Sequence, residues 1–175
     1  MTVRVERVVT SGIFSLDGED FDVENNVWLV GDDHEVVVID AAHDAAKIAE
    51  AIGQRRLKEI ICTHGHNDHI NGAGELAKMF GAAVALHPSD RMLWDVVYPN
   101  RAPDRDIAEG QLIAVGGSDL TVIHTPGHSP GGVCPSAPDL QCVFSGDPLF
   151  HGGPGATGRS SSNYHTIVES IKGQL

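Results

Sequence analysis

The segment Thr63-His64-Gly65-His66-Asn67-Asp68-His69 constrains this chain more than any other, because it packs three imidazoles and a carboxylate into six residues. It follows the stretch 57–62, apolar except for Lys58 and Glu59, which reads as a buried strand, so these groups are delivered at a strand end. His64 and His66, two apart in an extended segment, point the same way and can chelate one ion. Asn67 lets the chain bend and aim Asp68 and His69 at a neighbouring point. Neutral imidazole nitrogen and carboxylate oxygen suit zinc or iron, and Gly65 leaves room for the backbone close to such an ion.

Two further strand ends carry groups of the same kind. His124-Thr125-Pro126-Gly127-His128-Ser129-Pro130-Gly131 follows an apolar stretch and presents His128 on a turn shaped by Pro and Gly. Phe144-Ser145-Gly146-Asp147 ends another with a carboxylate beside a glycine. Alone, each reads as an ordinary turn. Together, three strand ends can converge on one edge of a sheet.

The remaining pattern is that of a single mixed domain over residues 1–175. Strands are expected at 3–9, 27–30, 36–39, 57–62, 82–86, 111–115, 120–124, 132–134 and 141–145, with Pro135 and Pro138 in the connection between the last two. Helices are expected after the Asp44 cap, over 72–80, over 91–97, and over 164–175 with an apolar stripe of Ile167, Val168, Ile171 and Leu175. Hairpins interleaved with strand–helix units mean a layered α/β fold.

Composition narrows the function. Twelve Lys and Arg against 24 Asp and Glu give a net charge of −12 with His neutral. This argues against a nucleic-acid binder and against docking on an anionic membrane. No apolar run approaches the ~20 residues of a spanning helix, and residues 1–9 lack the apolar block of a signal peptide. Three cysteines without a C-x-x-C pair make no disulfide framework. The expectation is a soluble, cytoplasmic protein with reduced thiols.

These motifs resemble the metallo-β-lactamase superfamily. His64, His66, Asp68 and His69 match its H-x-H-x-D-H signature, Gly127-His128 its Gly-His turn, Ser145-Gly146-Asp147 its strand end, and Val38-Ile39-Asp40 its first motif. Their order and spacing hold from about 26 to 159. The resemblance implies a four-layer αβ/βα sandwich with two divalent ions at one edge, zinc first, with iron or manganese as alternatives. It assigns His64, His66 and His128 to one ion and Asp68 and His69 to a second, with Asp147 bridging and Asp40 orienting ligands. Within the superfamily the segment 144–150, the following glycine-rich stretch with Gly158-Arg159, and the turn at 126–132 are most similar to small glyoxalase II-type hydrolases. That similarity implies a metal-bound hydroxide attacking a thioester of a low-molecular-weight thiol, with Asp68 as the catalytic group that orients it and takes its proton. The alternatives are a mononuclear iron persulfide dioxygenase using His64, His128 and Asp147, and a lactonase or β-lactamase.

The chain departs from the pattern at its last ligand, at Pro148, and at Pro135-Ser136-Ala137-Pro138, which interrupts a region that usually reads as clean hairpin. The family has one more His, in a Gly-His-Gly turn beyond the helix after Arg159, and this sequence ends on that helix. The expectation is therefore a domain without its C-terminal strand, a second metal site short of ligands, and a sheet edge that a partner subunit could cover. His151 and His165 are poor substitutes, since both fall at a loop or helix start. Pro148 stands where the subfamily has Thr, which removes a hydroxyl and an N–H next to Asp147. Arg159 is available to an anionic substrate group or to an ion pair. His34, His43, His87 and His124 read as ordinary turn and strand-end residues.

Overall fold

The computed structural model describes residues 2–16 and 18–175. A long hairpin leads, β1 (Arg4–Leu16) pairing antiparallel with β2 (Glu19–Gly31) from Arg4 opposite Gly31 to Leu16 opposite Glu19. Only its outer parts, 3–9 and 27–30, are legible in the sequence. The stretch between is mostly exposed, so no apolar alternation marks it, and cross-strand pairing rather than burial specifies it. A turn in which Asp32 Oδ1 accepts the His34 and Glu35 N–H groups leads into β3 (Glu35–Ile39).

From here the chain alternates. Helix α1 (Ala45–Ile52) is capped by Asp44, whose carboxylate accepts Lys47 N–H at 2.9 Å, and it stops at Gly53. Strand β4 (Arg56–Ile61) is followed by the four-residue α2 (Asn67–Ile70), then by α3 (Ala73–Phe80), which ends at a left-handed Gly81. Strand β5 (Ala83–Leu86), a 3-10 turn at Pro88–Asp90, α4 (Arg91–Val97) and β6 (Arg105–Asp106) complete the first half. The six strands lie in the order β1-β2-β3-β4-β5-β6, parallel from β3 onward. Parallel strands covered on both faces need apolar side chains at nearly every position, which is why 36–39 and 82–86 are uninterrupted apolar runs and 57–62 is broken only by Lys58 and Glu59.

A second sheet, in the order β10-β9-β8-β7, contains β7 (Leu112–Val115), β8 (Ser118–His124), β9 (Val133–Ala137) and β10 (Cys142–Val143). The ribbon β11 (Leu149–Phe150) and β12 (Gly153–Pro154) precedes α5 (Tyr164–Gln174). One core lies under the helices, where Ile48, Leu76 and Trp94 meet Val36, Ile60 and Val84. The other lies between the sheets, where Val37, Ile39 and Ile61 meet Leu120, Val122, Val133 and Phe144. The expected α/β sandwich is therefore observed.

Two local expectations are corrected. Pro135 belongs to β9, opposite Val122, rather than to the connection after it. Its carbonyl accepts Phe144 N–H, but proline has no N–H to return, and the β9–β10 ladder stops at Val143. In α5 the buried residues are Ile167 and Ser170, not the whole predicted stripe; Leu175 is 43% exposed. Ser170 Oγ donates to the Pro126 carbonyl, so this helix docks on the turn that carries His128 through a polar contact as well as an apolar one. No helix among the described residues is long and apolar enough to cross a membrane.

Candidate metal centre

The ends of β4, β8 and β10 deliver their ligand candidates to one place. Nitrogen atoms of His64, His66 and His128 lie within 4.8 Å of one another, and so do donor atoms of His64, His69 and Asp147, so His64 belongs to both groups. Asp147 reaches in both directions: its Oδ1 is 3.1 Å from His69 Nε2 and its Oδ2 is 3.4 Å from His128 Nε2. Asp68 stands beside the second group rather than inside it. Its Oδ2 lies 3.6 Å from His69 Nε2 and accepts Asn25 Nδ2–H at 3.2 Å. His151 is exposed on the wall of a cavity of about 280 Å³ that opens beside His69 and Asp147, with Trp28, Phe144 and Phe150 as its apolar lining. His165 faces away, paired with Glu169 along α5. Arg159 has no ion-pair partner among the described residues and lies over the Phe14 ring at 4.8 Å from its centre.

Hydrogen bonds behind the cluster fix which nitrogens point inward. Thr63 Oγ1 donates to Asp40 Oδ2 at 2.7 Å, so it can only accept from His64 Nδ1, 3.1 Å away. That leaves His64 Nε2 as a bare lone pair, buried and without a partner. His128 Nδ1 donates to the Ala156 carbonyl at 2.8 Å, which leaves its Nε2 as a lone pair 3.0 Å from His66 Nδ1. Buried lone pairs this close repel unless a proton or a cation lies among them, so the donor set fits a metal ion.

Asp40 is the anchor of the arrangement. Its φ of 58° puts it in the left-handed region, which Asp tolerates better than most residues. Its Oδ1 accepts Thr63 N–H at 2.7 Å, and its Oδ2 also accepts His69 Nδ1–H at 2.9 Å, which turns His69 Nε2 toward Asp147. Gly146 (φ 53°) lets the Asp147 strand end approach, since a Cβ there would lie 2.6 Å from Thr63 Oγ1.

Charge follows the same division. Burial, then the neighbouring imidazoles of His69, His66 and His128, hold His64 well below the usual histidine range. Burial and then His128 push His66 down to about 3. Burial also opposes charge on His69, but Asp40 and Asp147 outweigh it and hold this imidazole well above its ordinary value. Burial raises Asp147, yet its bond to His69 and the nearby histidine charges keep it below the usual carboxylate value.

The metal-free protein should therefore lose stability as pH falls from 6.5 to 5. In that window the unfolded chain protonates His64 and His66 while the folded chain does not, so protons favour unfolding. His69 contributes nothing there, because its stabilisation is already complete below 6.5 and is lost only as pH rises through its folded value. Urea midpoints of chelator-treated protein measure this; a flat or rising midpoint on acidification would contradict it.

Two contributors were not legible in the sequence. Asn25 joins Asp68 to His43, whose Nε2 is 3.0 Å from Asn25 Oδ1, so His43 supports the site rather than merely sitting in a turn. Asp90, fully buried, bonds to both loops that carry the histidines. In sequence Asn25 is one of two adjacent Asn residues, and Asp90 resembles a helix cap; neither carries a motif.

The metallo-beta-lactamase superfamily profile matches residues 21–173. The hydroxyacylglutathione hydrolase GloC of Haemophilus influenzae is 30% identical over 169 residues, covering 87% of this chain and 79% of that protein. TTHA1623, solved in a di-iron-bound form, superposes with a TM-score of 0.74 at 29% identity, covering 84% of this chain and 79% of that one. ETHE1 from Myxococcus xanthus superposes with a TM-score of 0.68 at 26% identity, covering 86% and 64%.

Proposed function

The chain belongs to the metallo-β-lactamase superfamily of metallo-hydrolases, and we propose that within it the protein hydrolyses thioesters of a low-molecular-weight thiol. The metal reading is carried by the buried, unpartnered Nε2 of His64 facing the imidazoles of His66 and His128. His64, His66 and His128 would hold one divalent ion, and Asp68 and His69 a second, with Asp147 between them. Zinc suits this nitrogen-rich set; the di-iron form of TTHA1623 supports iron as the alternative. Divalent ions would supply a nucleophile from water at neutral pH and polarise the acyl carbonyl.

The protein's own groups have narrower tasks. The Asp68 carboxylate, held by Asn25, takes the proton of the attacking water. Asp40 keeps His69 Nε2 directed inward, and the Ala156 carbonyl does the same for His128. No cysteine competes as nucleophile at the centre: burial pushes Cys134 up to about 11 and Cys62 well above the usual thiol value. The leaving thiolate, with a pKa of ~8.5, needs no strong general acid. The likeness to GloC supports a hydroxyacyl thioester of glutathione as substrate.

The test is release of free thiol from such a thioester by zinc- or iron-loaded protein, before and after chelation. Chelator-sensitive turnover is expected. A loaded protein that cleaves lactones or β-lactams but no thioester would overturn the proposal. A second reading, an iron-dependent persulfide dioxygenase, draws on the approach of His128 Nε2 to Asp147 Oδ2, which with His64 forms a two-histidine, one-carboxylate set. One bound iron per chain and oxygen consumption would select it.

A further inference from the structure

Asp90 is 0% exposed and has no cationic partner among the described residues. Burying a carboxylate without a counter-charge is costly, and it is tolerated where several donors converge on it. Three do so here. Oδ2 accepts Gly65 N–H at 2.9 Å and Ser129 Oγ–H at 2.7 Å, and Oδ1 accepts Gly131 N–H. Gly65 lies between His64 and His66, and Ser129 directly follows His128. Asp90 is the N-cap residue of α4 by position, yet its side chain makes no capping bond. It is spent on the two loops instead.

The contacts around it are close on both sides. A Cβ on Gly131 would lie 2.8 Å from Asp90 N, and one on Gly65 would lie 3.0 Å from Asp90 O. His87, which opens the same turn, stacks on His124 at 4.3 Å with planes 8° apart, and His124 Nε2 donates to the Pro130 carbonyl. Among the described residues no other side chain accepts hydrogen bonds from the backbone of both loops.

We propose that Asp90 is a positioning residue that sets the distance between the His66 and His128 imidazoles by fixing the backbone of both loops. This rests on the reading of His64, His66 and His128 as a metal site. Asp90→Asn preserves shape but turns an N–H toward one of the backbone donors, opening the clasp on one side.

The experiment uses the full chain with cobalt(II) as probe, following its visible ligand-field bands and its affinity by competition with a chromophoric chelator, well below the unfolding temperature. Asp90→Asn should weaken the first equivalent by roughly ten- to a hundredfold, as loss of groups that orient metal ligands does, and should alter the bands. Ser129→Ala, which removes one donor and keeps both backbone contacts, should shift both readouts in the same direction by less. A folded Asp90→Asn protein with unchanged affinity and bands overturns the proposal, even if its melting temperature falls. If that variant does not fold, unchanged readouts in Ser129→Ala overturn it. Wild-type protein that binds no cobalt would instead overturn the metal reading, and the proposal with it.

Discussion

On the proposed function, His66→Ala is expected to fold and to lose metal binding and thioester turnover together. The imidazole is buried, yet in the metal-free protein it contributes little that holds the fold. Its Nε2 has no partner, and burial pushes its pKa down to about 3, the mark of a group whose protonation the fold strongly opposes. Its clear asset is Nδ1, 3.0 Å from His128 Nε2, where the two nitrogens converge with His64. Removing a group that merely orients a ligand costs roughly ten- to a hundredfold in metal affinity. Removing a ligand should exceed that, leaving less than about one per cent of turnover. Metal content by mass spectrometry after dialysis against a weak chelator, paired with thiol release, measures both. The substitution should also weaken the acid-dependent loss of stability between pH 6.5 and 5, because one of the buried histidines that burial holds uncharged is gone. Retention of metal and turnover would mean that the imidazole cluster is not the reactive centre.

What the sequence made legible has a physical pattern. The parallel strands could be read because burial on both faces demands near-continuous apolar runs, and the helices because Asp44, Gly53 and Gly81 mark their ends. The ligand candidates could be read because His64, His66, Asp68 and His69 are neighbours in sequence, and because Gly127 and Gly146 flag the two other turns. The inner part of the β1–β2 hairpin was hidden, since mostly exposed residues leave no periodic trace. Pro135 misled, because a proline at the point where a ladder ends is compatible with a strand. Asn25 and Asp90 were out of reach for a different reason. Asn25 acts on Asp68, 43 residues away, and Asp90 acts on Gly65 and Gly131, 25 and 41 residues away. Such roles exist only after the strand ends have been brought together.

Asp40→Ala should cost the metal-free protein about 3–9 kcal/mol, because three donors lose their acceptor at once and each buried donor left unsatisfied costs ~1–3 kcal/mol. The donors are Thr63 N–H, Thr63 Oγ–H and His69 Nδ1–H, all within a site that excludes water from its base. The backbone adds to the cost, since alanine at a φ of 58° is less comfortable than aspartate. Asp40→Asn separates these contributions. It tolerates the left-handed conformation and retains one oxygen, so its loss in urea should be smaller. The effect on His69 should nonetheless be large in both variants. Without the carboxylate, burial is opposed chiefly by Asp147, with Asp68 farther off, and the His69 pKa falls toward the ordinary histidine value. Its ring is then free to turn Nε2 away from Asp147, so the second equivalent of metal should bind more weakly while the first, proposed for His64, His66 and His128, should be less affected. Stepwise cobalt titration of Asp40→Asn measures that asymmetry. Equal weakening of both steps would show that Thr63 transmits the change to His64 through its own hydroxyl, which in the wild-type protein donates to Asp40 and faces His64 Nδ1.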